Sequence, residues 1–344
     1  MSQISVDVIV LTQPLVDLDV TADHLAERFE RLGFDCAWTF EAAHDPFLPL
    51  AFAAESTERI ELGTGIAVAF ARNPMTLANT AHDLQLMSNG RFVLGLGSQI
   101  KPHITKRFSM DWSSPAARMR EFVLALQAIW ANWNTGEPLQ FRGEFYKHVL
   151  MTPMFTPPKS EAGPPKVFLA GVGPLMTKVA GEVADGFVSH AFQTPSYFDE
   201  VTLPALEAGL AEGGRTRDQL EITIPLFSAF GDTDEEIHHA SKGTRQQLAF
   251  YASTPAYRPV LDHHGWGDIQ TELNVMSKAG KWVEMADLIT DEILDEFAYR
   301  GPIEGFPDAL RTRYGSNLDR LQFYSGRDGD QDRWAPVIDQ IKAL

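Results

Sequence analysis

The stretch that decides the fold covers residues 60–97 and reads IELGTGIAVAFARNPMTLANTAHDLQLMSNGRFVLGLG. Its two ends are apolar and punctuated by glycine, which predicts strands at Ile60–Ala69 and Phe92–Gly97. The Asn-Pro pair between them opens a helix, because proline suits a first helical turn. A strand, a helix and a second strand in this order are the repeating unit of a parallel sheet.

The same alternation extends in both directions along the chain. It predicts further strands at Val6–Leu11, Cys36–Glu41, Val167–Ala170, Gly186–Val188, Ile222–Phe230 and Leu321–Tyr324. Helices are predicted at Thr21–Leu32 and Pro46–Ser56, from Ser114 as N-cap with Pro115, from Leu175 to Ala184, and through Leu203–Leu210. Eight alternations predict a (β/α)8 barrel in a single domain, residues 1–344; an open doubly wound sheet is the alternative.

Two segments depart from the alternation and predict insertions after the fourth and seventh strands. Residues 136–165 are rich in proline, with a hairpin expected around Phe141–Phe145. Residues 233–300 are helical and acidic. A 344-residue chain exceeds a bare barrel of about 250 residues because of these insertions.

Charge and cysteine usage limit the classes of function. The chain has 29 Lys and Arg against 46 Asp and Glu, a formal net charge of −17, which argues against nucleic acid or an anionic membrane as partner. The single cysteine, Cys36, has no internal disulfide partner and is expected in the core. We expect neither a signal peptide nor a membrane span, and we expect a cytoplasmic protein that acts on a small molecule.

In a barrel of this kind the chemistry lies where the strands end. The fifth strand ends in Gly171-Val172-Gly173-Pro174 and a helix follows, so free backbone N–H groups predict an anion site to which Lys178 adds charge. A tight turn that needs glycine only for its dihedral angles is the alternative.

Polar side chains also close the second and fourth strands. Glu41 and His44 suit general acid–base work or substrate orientation, although a salt-bridged strand end explains the glutamate equally well. Lys101 and His103 follow the fourth strand, with an exposed polar loop as the alternative. No metal site is expected, because the adjacent histidine pairs at 238–239 and 263–264 point their side chains in different directions.

Several of these motifs together resemble the bacterial-luciferase-like superfamily. They are Leu62-Gly63-Thr64-Gly65-Ile66, Arg72-Asn73-Pro74, Gly90–Gly97, Ala170–Pro174 and Ala184-Asp185-Gly186-Phe187. The resemblance spans residues 5–230 and implies a (β/α)8 barrel that holds FMN or the deazaflavin coenzyme F-420. Residues 41–47 and 98–103 look most like the branch that depends on F-420, and this branch commonly forms homodimers.

The resemblance also implies which residues hold the cofactor. A bulge in the third strand, with a non-prolyl cis peptide at Gly65–Ile66, backs the deazaflavin ring. Gly97, Ser98 and Gln99 contact the ring and ribityl chain. Backbone groups of Gly171, Val172 and Gly173 hold the phosphate, with Lys178 nearby.

One departure from the family pattern limits the substrate. Sugar-phosphate dehydrogenases of this branch carry a histidine and a glutamate where this chain has Ala42 and Ile100. The sequence therefore favours an F-420-dependent oxidoreductase that transfers a hydride to or from a small, apolar carbonyl, alcohol or alkene, with His44, Lys101 and His103 in proton transfer or polarisation. An FMNH2-dependent monooxygenase and a non-catalytic F-420-binding protein are the alternatives.

Overall fold

The computed structural model describes residues 3–9, 22–315, 317–323 and 333–344. Its strands are β1 (Ser5–Ile9), β2 (Cys36–Thr39), β3 (Glu61–Thr64), β4 (Ala67–Val68), β5 (Phe92–Gly97), β6 (Phe141–Arg142), β7 (Lys147–His148), β8 (Lys166–Ala170), β9 (Gly186–Val188), β10 (Glu221–Phe230), β11 (Ala298–Gly301) and β12 (Arg320–Phe323).

The helices alternate with these strands along the chain. They are α1 (Ala22–Leu32), α2 (Leu48–Ser56), α3 (Pro74–Met87), α4 (Pro115–Thr135), α5 (Pro174–Val183), α6 (Pro195–Tyr197), α7 (Leu203–Glu212), α8 (Asp234–Ala252), α9 (Arg258–His263), α10 (Gly267–Lys278), α11 (Asp291–Phe297), α12 (Phe306–Tyr314) and α13 (Trp334–Lys342).

The strand order confirms the predicted fold class. Strands β1-β2-β3-β5-β8-β9 pair in sequence, β4 pairs with β5 beyond the interruption of β3, and β10 pairs with β12. Counting β3 and β4 as one interrupted strand gives eight strands in the order of a (β/α)8 barrel, and every pairing in the sheet with a described register is parallel. The open doubly wound alternative is therefore wrong.

One compact unit comprises Asp7–Val188 and Ala205–Glu221. Its centre contains a cluster of Cys36, Trp38, Val93, Phe168 and Val188, so the lone cysteine is a core residue of β2 as predicted. Gly63 is required here because a Cβ atom on it would lie 2.5 Å from Cε3 of Trp38. The backbone of Gly63 thus lies directly against a tryptophan ring.

The other unit comprises Met1–Val6, Ser189–Pro204 and Ile222–Leu344. Its apolar cluster joins the segment after β9 to helices of the acidic stretch 233–300, through residues such as Phe192, Leu248, Leu261 and Phe297. The hairpin predicted within 136–165 is present in the first unit as β6 and β7, antiparallel across Phe141 and His148. The single-domain organisation and the positions of the insertions stay predictions.

Some predicted boundaries are wrong, each for a local reason. Helix α2 begins at Leu48 rather than Pro46, because Asp45 Oδ1 accepts hydrogen bonds from the N–H groups of Phe47 and Leu48 and turns the chain first. Ser114 precedes α4 with a positive φ of 35° and makes no side-chain cap. Val10, Leu11, Thr21 and Tyr324, predicted at element ends, lie outside the described residues.

Candidate active site

The third barrel strand is interrupted at Gly65 and Ile66, between β3 and β4. The peptide bond that joins them is cis, as predicted. Backbone bonds tie this bulge to the end of β2, since Gly65 N–H donates to Thr39 O at 2.6 Å and Glu41 N–H donates to Ile66 O at 3.0 Å. The bulge is therefore held in place by the neighbouring strand.

The side chain of Glu41 holds the same bulge from its other end. Its Oε2 accepts from Val68 N–H at 2.7 Å and from Nη1 of Arg72 at 2.5 Å. Arg72 also donates to Val68 O at 3.1 Å and lies 3.5 Å from Asp45 Oδ2. With 9% of the Glu41 side chain exposed, this carboxylate is a buried structural link, which agrees with the salt-bridged alternative for this strand end.

The end of β5 approaches the bulge closely. Val68 pairs with Gly97 in the sheet, and a Cβ atom on Gly97 would lie 2.9 Å from Cδ1 of Ile66. A Cβ on Gly95 would lie 1.8 Å from Thr64 O, so only glycine fits there. The structure thus brings together Ile66 and Gly97, two of the residues predicted to contact a cofactor ring.

The chain turns sharply after β5. Gln99 has a positive φ of 58°, and its side-chain Oε1 accepts from Ile100 N–H at 2.9 Å. The Ser98 hydroxyl donates to Gln99 O at 3.1 Å. Both side chains are partly exposed, but their polar atoms shape the turn, so a role toward a ligand stays a prediction.

Three of the four predicted acid–base residues lie on the surface of the first unit. His44, Lys101 and His103 are exposed, and none of them forms an ion pair with another described residue. Arg107 links their two segments, since its guanidinium donates to the carbonyl of Ala42. These three side chains are available to a ligand, while Glu41 is not.

The predicted anion site lies at the start of α5. Gly173 is the N-cap residue, Pro174 follows, and a Cβ on Gly173 would meet nothing within 4 Å. Gly171 is packed more tightly, since its Cβ would lie 3.2 Å from Thr177 N. The open side of Gly173 leaves the first turn of the helix accessible to an anion.

Lys178 lies on α5 but its ammonium forms an ion pair with Glu212 of α7. The hydrogen bond to Glu212 raises the pKa of Lys178. Because Lys178 is paired with Glu212, the positive charge that faces this turn is the partial charge at the N-terminus of α5. Participation of Lys178 in anion binding stays a prediction.

Sequence reasoning missed His190, two residues beyond β9 in the other unit. Burial lowers the pKa of His190 to about 4. Its Nδ1 accepts from Phe192 N–H at 2.9 Å, and its Nε2 lies 3.0 Å from the Tyr257 hydroxyl. His190 could have been found from the sequence, because it follows the predicted strand Gly186–Val188. Polar residues at the ends of barrel strands are candidates for chemistry.

Two further properties concern only the described parts of the chain. No helix there combines the length and apolar character needed to cross a membrane. Within the same ranges, no three His, Cys, Asp or Glu side chains are grouped so that they hold a metal ion.

Comparison with known proteins places the chain in a family. An uncharacterized protein of Mycobacterium tuberculosis is 55% identical over 296 residues, which are 86% of this chain and 87% of that protein. An F-420-dependent glucose-6-phosphate dehydrogenase of Intrasporangium calvum is 31% identical over 282 residues, 77% of this chain and 80% of that one.

A solved structure has the same fold. The coenzyme F-420-dependent tetrahydromethanopterin reductase of Methanopyrus kandleri superposes with a TM-score of 0.77 at 21% identity, covering 99% of this chain and 97% of that one. The model of the luciferase-like monooxygenases matches residues 20–320. The chain therefore belongs to the luciferase-like monooxygenase family.

Proposed function

We propose that this protein is an oxidoreductase that depends on coenzyme F-420. It transfers a hydride between the deazaflavin and a small, apolar carbonyl, alcohol or alkene. The observation that carries the proposal is the contact between Ile66 of the bulge and the glycine-closed end of β5 at Gly97. This contact forms an apolar platform at the end of neighbouring strands, where barrels of this type bind their ligands.

The residues present fit such a cofactor. A planar ring needs a flat apolar surface, and the absence of a side chain on Gly97 leaves Ile66 in contact with the strand backbone. A phosphate needs unobstructed N–H donors, and the open side of Gly173 provides access to the first turn of α5. Gly65, Ile66, Gly97, Ser98 and Gln99 would hold the ring and ribityl chain.

The phosphate would be bound by the turn that contains Gly171, Val172 and Gly173, with Lys178 supplying charge if it exchanges Glu212 for the ligand. When bound, a deazaflavin carries two electrons as a hydride. The chain's own part is to bind, to orient and to exclude water around the reacting atoms.

The exposed residues of the first unit are the candidates for proton chemistry. His44, Lys101 and His103 polarise the substrate oxygen or exchange a proton with it. Glu41 acts on the reaction through the bulge that it holds rather than as an acid or base.

The proposed substrate is not a sugar phosphate. The dehydrogenase pattern has a histidine and a glutamate where this chain has Ala42 and Ile100, and neither replacement exchanges a proton. A small carbonyl, alcohol or alkene needs fewer charged contacts than a phosphorylated sugar.

The alternative is an FMNH2-dependent monooxygenase, which the description of the matching family favours. Titration of the purified protein with F-420 and with FMN, followed by cofactor fluorescence, separates the two. We expect F-420 to bind and FMN to bind weakly. Tight binding of FMN with none of F-420 overturns the proposal, and steady turnover of any substrate excludes a protein that only stores F-420.

A matched pair of variants tests where the phosphate binds. Gly173→Asp places a negative charge in the open space at the start of α5, so the affinity for F-420 is expected to fall about tenfold or more. Gly243→Asp makes the same change at another glycine whose Cβ would meet nothing within 4 Å, and its affinity is expected to stay that of the wild type. Equal affinities in both variants contradict phosphate binding at this turn.

The cytoplasmic location and the homodimer also belong to this proposal. The homodimer rests on the resemblance to the family, and sedimentation of the purified protein tests it. A monomer at micromolar concentration contradicts the homodimer.

A further inference from the structure

The segment after β9 contains a histidine whose protonation is determined by its contacts. Phe192 N–H donates to Nδ1 of His190 at 2.9 Å, so Nδ1 is an acceptor. Because burial lowers the pKa of His190 to about 4, the ring is neutral near pH 7. A neutral imidazole with an accepting Nδ1 carries its single proton on Nε2.

This tautomer determines the direction of the next hydrogen bond. Nε2 of His190 lies 3.0 Å from the hydroxyl oxygen of Tyr257, so the imidazole donates and the hydroxyl oxygen accepts. The proton of the hydroxyl then points elsewhere. Within residues 3–9, 22–315, 317–323 and 333–344, the Tyr257 hydroxyl has no other hydrogen-bond partner. Burial also raises the pKa of Tyr257, which keeps this proton in place.

The surroundings of the two side chains are aromatic and apolar. The ring of Tyr251 meets that of His190 edge-on at 4.7 Å, and the ring of Phe192 lies 5.6 Å from that of Tyr257. Phe192 in turn stacks on Phe297 at 4.5 Å. A donor that lacks an acceptor in such surroundings gains more from a ligand oxygen than it would in water.

The contacts favour a neutral oxygen over an anion. The nearest cation along the chain, Arg258, is bonded to Asp262, Gln270 and Thr271. By exposed surface area, His190 and Tyr257 are each partly buried.

We propose that the Tyr257 hydroxyl, oriented by His190, donates a hydrogen bond to the oxygen of a small apolar carbonyl compound. The site selects a neutral acceptor oxygen on an apolar body. The site lies wholly within the unit that contains Ser189–Pro204 and Ile222–Leu344, so this inference does not depend on the proposed function; its ligand class is small ketones and aldehydes.

The test compares two probes of similar shape that differ in the acceptor. Cyclohexanone has a carbonyl oxygen, and methylenecyclohexane has a methylene group in its place. Saturation-transfer NMR measures the affinity of the full-length protein for each. We expect the wild type to bind the ketone about tenfold more tightly, which is the size of one neutral hydrogen bond made in apolar surroundings.

Tyr257→Phe removes only the hydroxyl and is expected to abolish the preference for the ketone. Tyr299→Phe is the control, since that hydroxyl donates to Pro302 O, and it is expected to keep the preference. A wild type that binds no ketone or binds both probes equally overturns the inference. So does a Tyr257→Phe variant that still prefers the ketone.

A second variant and a second measurement separate the role of His190 from loss of folding and from failure of the proposed function. His190→Phe keeps an aromatic ring but no donor, so the preference is expected to fall; an unchanged preference contradicts orientation by His190. The ratio of the affinities for the ketone and the alkene is independent of stability, because any unfolded fraction of a sample lowers both affinities equally. Wild type that fails to bind F-420 but prefers the ketone contradicts the proposed function alone.

Discussion

The end of β2 carries a buried, hydrogen-bonded carboxylate, whereas the loop after β5 carries exposed polar side chains. Glu41 has 9% of its side chain exposed, and its carboxylate accepts from Val68 N–H and from Arg72. Lys101 and His103 are exposed and form no ion pair with any described residue. The two strand ends lie in the same compact unit and have the same fold context, but one binds its own backbone and the other faces solvent.

This difference distinguishes scaffold residues from candidate reactive residues at strand ends. Burying a carboxylate is costly unless its partners compensate, so a buried and fully bonded group belongs to the structure that it stabilises. A charged side chain that stays exposed has paid no such cost and can meet a ligand. Substitutions of buried, bonded groups are therefore expected to change stability, and substitutions of exposed groups to change activity.

The largest loss of stability is expected at Gly95, where the neighbouring strand leaves no space for a side chain. Gly95→Ala places a methyl group 1.8 Å from Thr64 O, a backbone atom that cannot move without breaking the sheet. We expect the free energy of unfolding to fall by about 3 kcal/mol or more. Urea denaturation measures it.

Gly173→Ala serves as the control for that substitution, since its Cβ would meet nothing within 4 Å. Its free energy of unfolding is expected to stay within about 0.5 kcal/mol of the wild type. If Gly95→Ala lowers the free energy of unfolding no more than Gly173→Ala does, the β3–β5 contact is not a rigid part of the site.

The next effect extends the comparison to the partly buried histidine after β9. The pKa of His190 is about 4 when folded and about 6.5 when unfolded, so the unfolded chain binds the extra proton first. Stability is fully present above pH 6.5 and is lost as the pH falls toward 4, by about 2–3 kcal/mol.

Urea denaturation at pH 7 and at pH 4.5 measures this loss in the wild type and in His190→Gln. The variant, which has no titrating ring, is expected to lose less stability across the interval. His103→Gln makes the same substitution at an exposed imidazole and is the control. If the wild type and His190→Gln lose the same stability between pH 7 and pH 4.5, burial of this ring is not the source of the pH dependence.

Local sequence signals predicted much of the site. The glycine-punctuated ends of residues 60–97 predicted two strands, and the structure places close backbone approaches in them at Gly63, Gly95 and Gly97. The resemblance located the cis bond at Gly65–Ile66. These features depend on residue type and on neighbours along the chain or in the adjacent strand.

Features set by partners distant in sequence were not predictable in the same way. Glu41 was equally compatible with catalysis and with a salt bridge until Arg72, 31 residues away, was located beside it. Lys178 looked free until Glu212 was found opposite it. Likewise, nothing in the sequence around His190 indicates that Tyr257, 67 residues away, receives its hydrogen bond.

A smaller effect tests the buried side of the comparison. Glu41→Gln keeps an oxygen to accept from Val68 N–H but removes the charge that Arg72 meets, while Arg72 retains Val68 O and Asp45. We expect a loss of about 1.5 kcal/mol in the free energy of unfolding. Asp308→Asn, which weakens an exposed pair with Arg311, is expected to cost less than about 0.5 kcal/mol. Equal costs for the two substitutions break the comparison.

The smallest effect on stability is expected on the exposed side. Alanine at His44, Lys101 or His103 removes an exposed side chain and no ion pair with a described residue, so each free energy of unfolding is expected to stay within about 0.5 kcal/mol of the wild type. Turnover is expected to fall for the residue that exchanges a proton with the substrate. Steady-state rates as a function of pH locate that residue, because its loss removes one limb of the profile. Unchanged turnover in all three variants excludes these side chains from the chemistry, and then exposure at a strand end does not mark the reactive groups of this barrel.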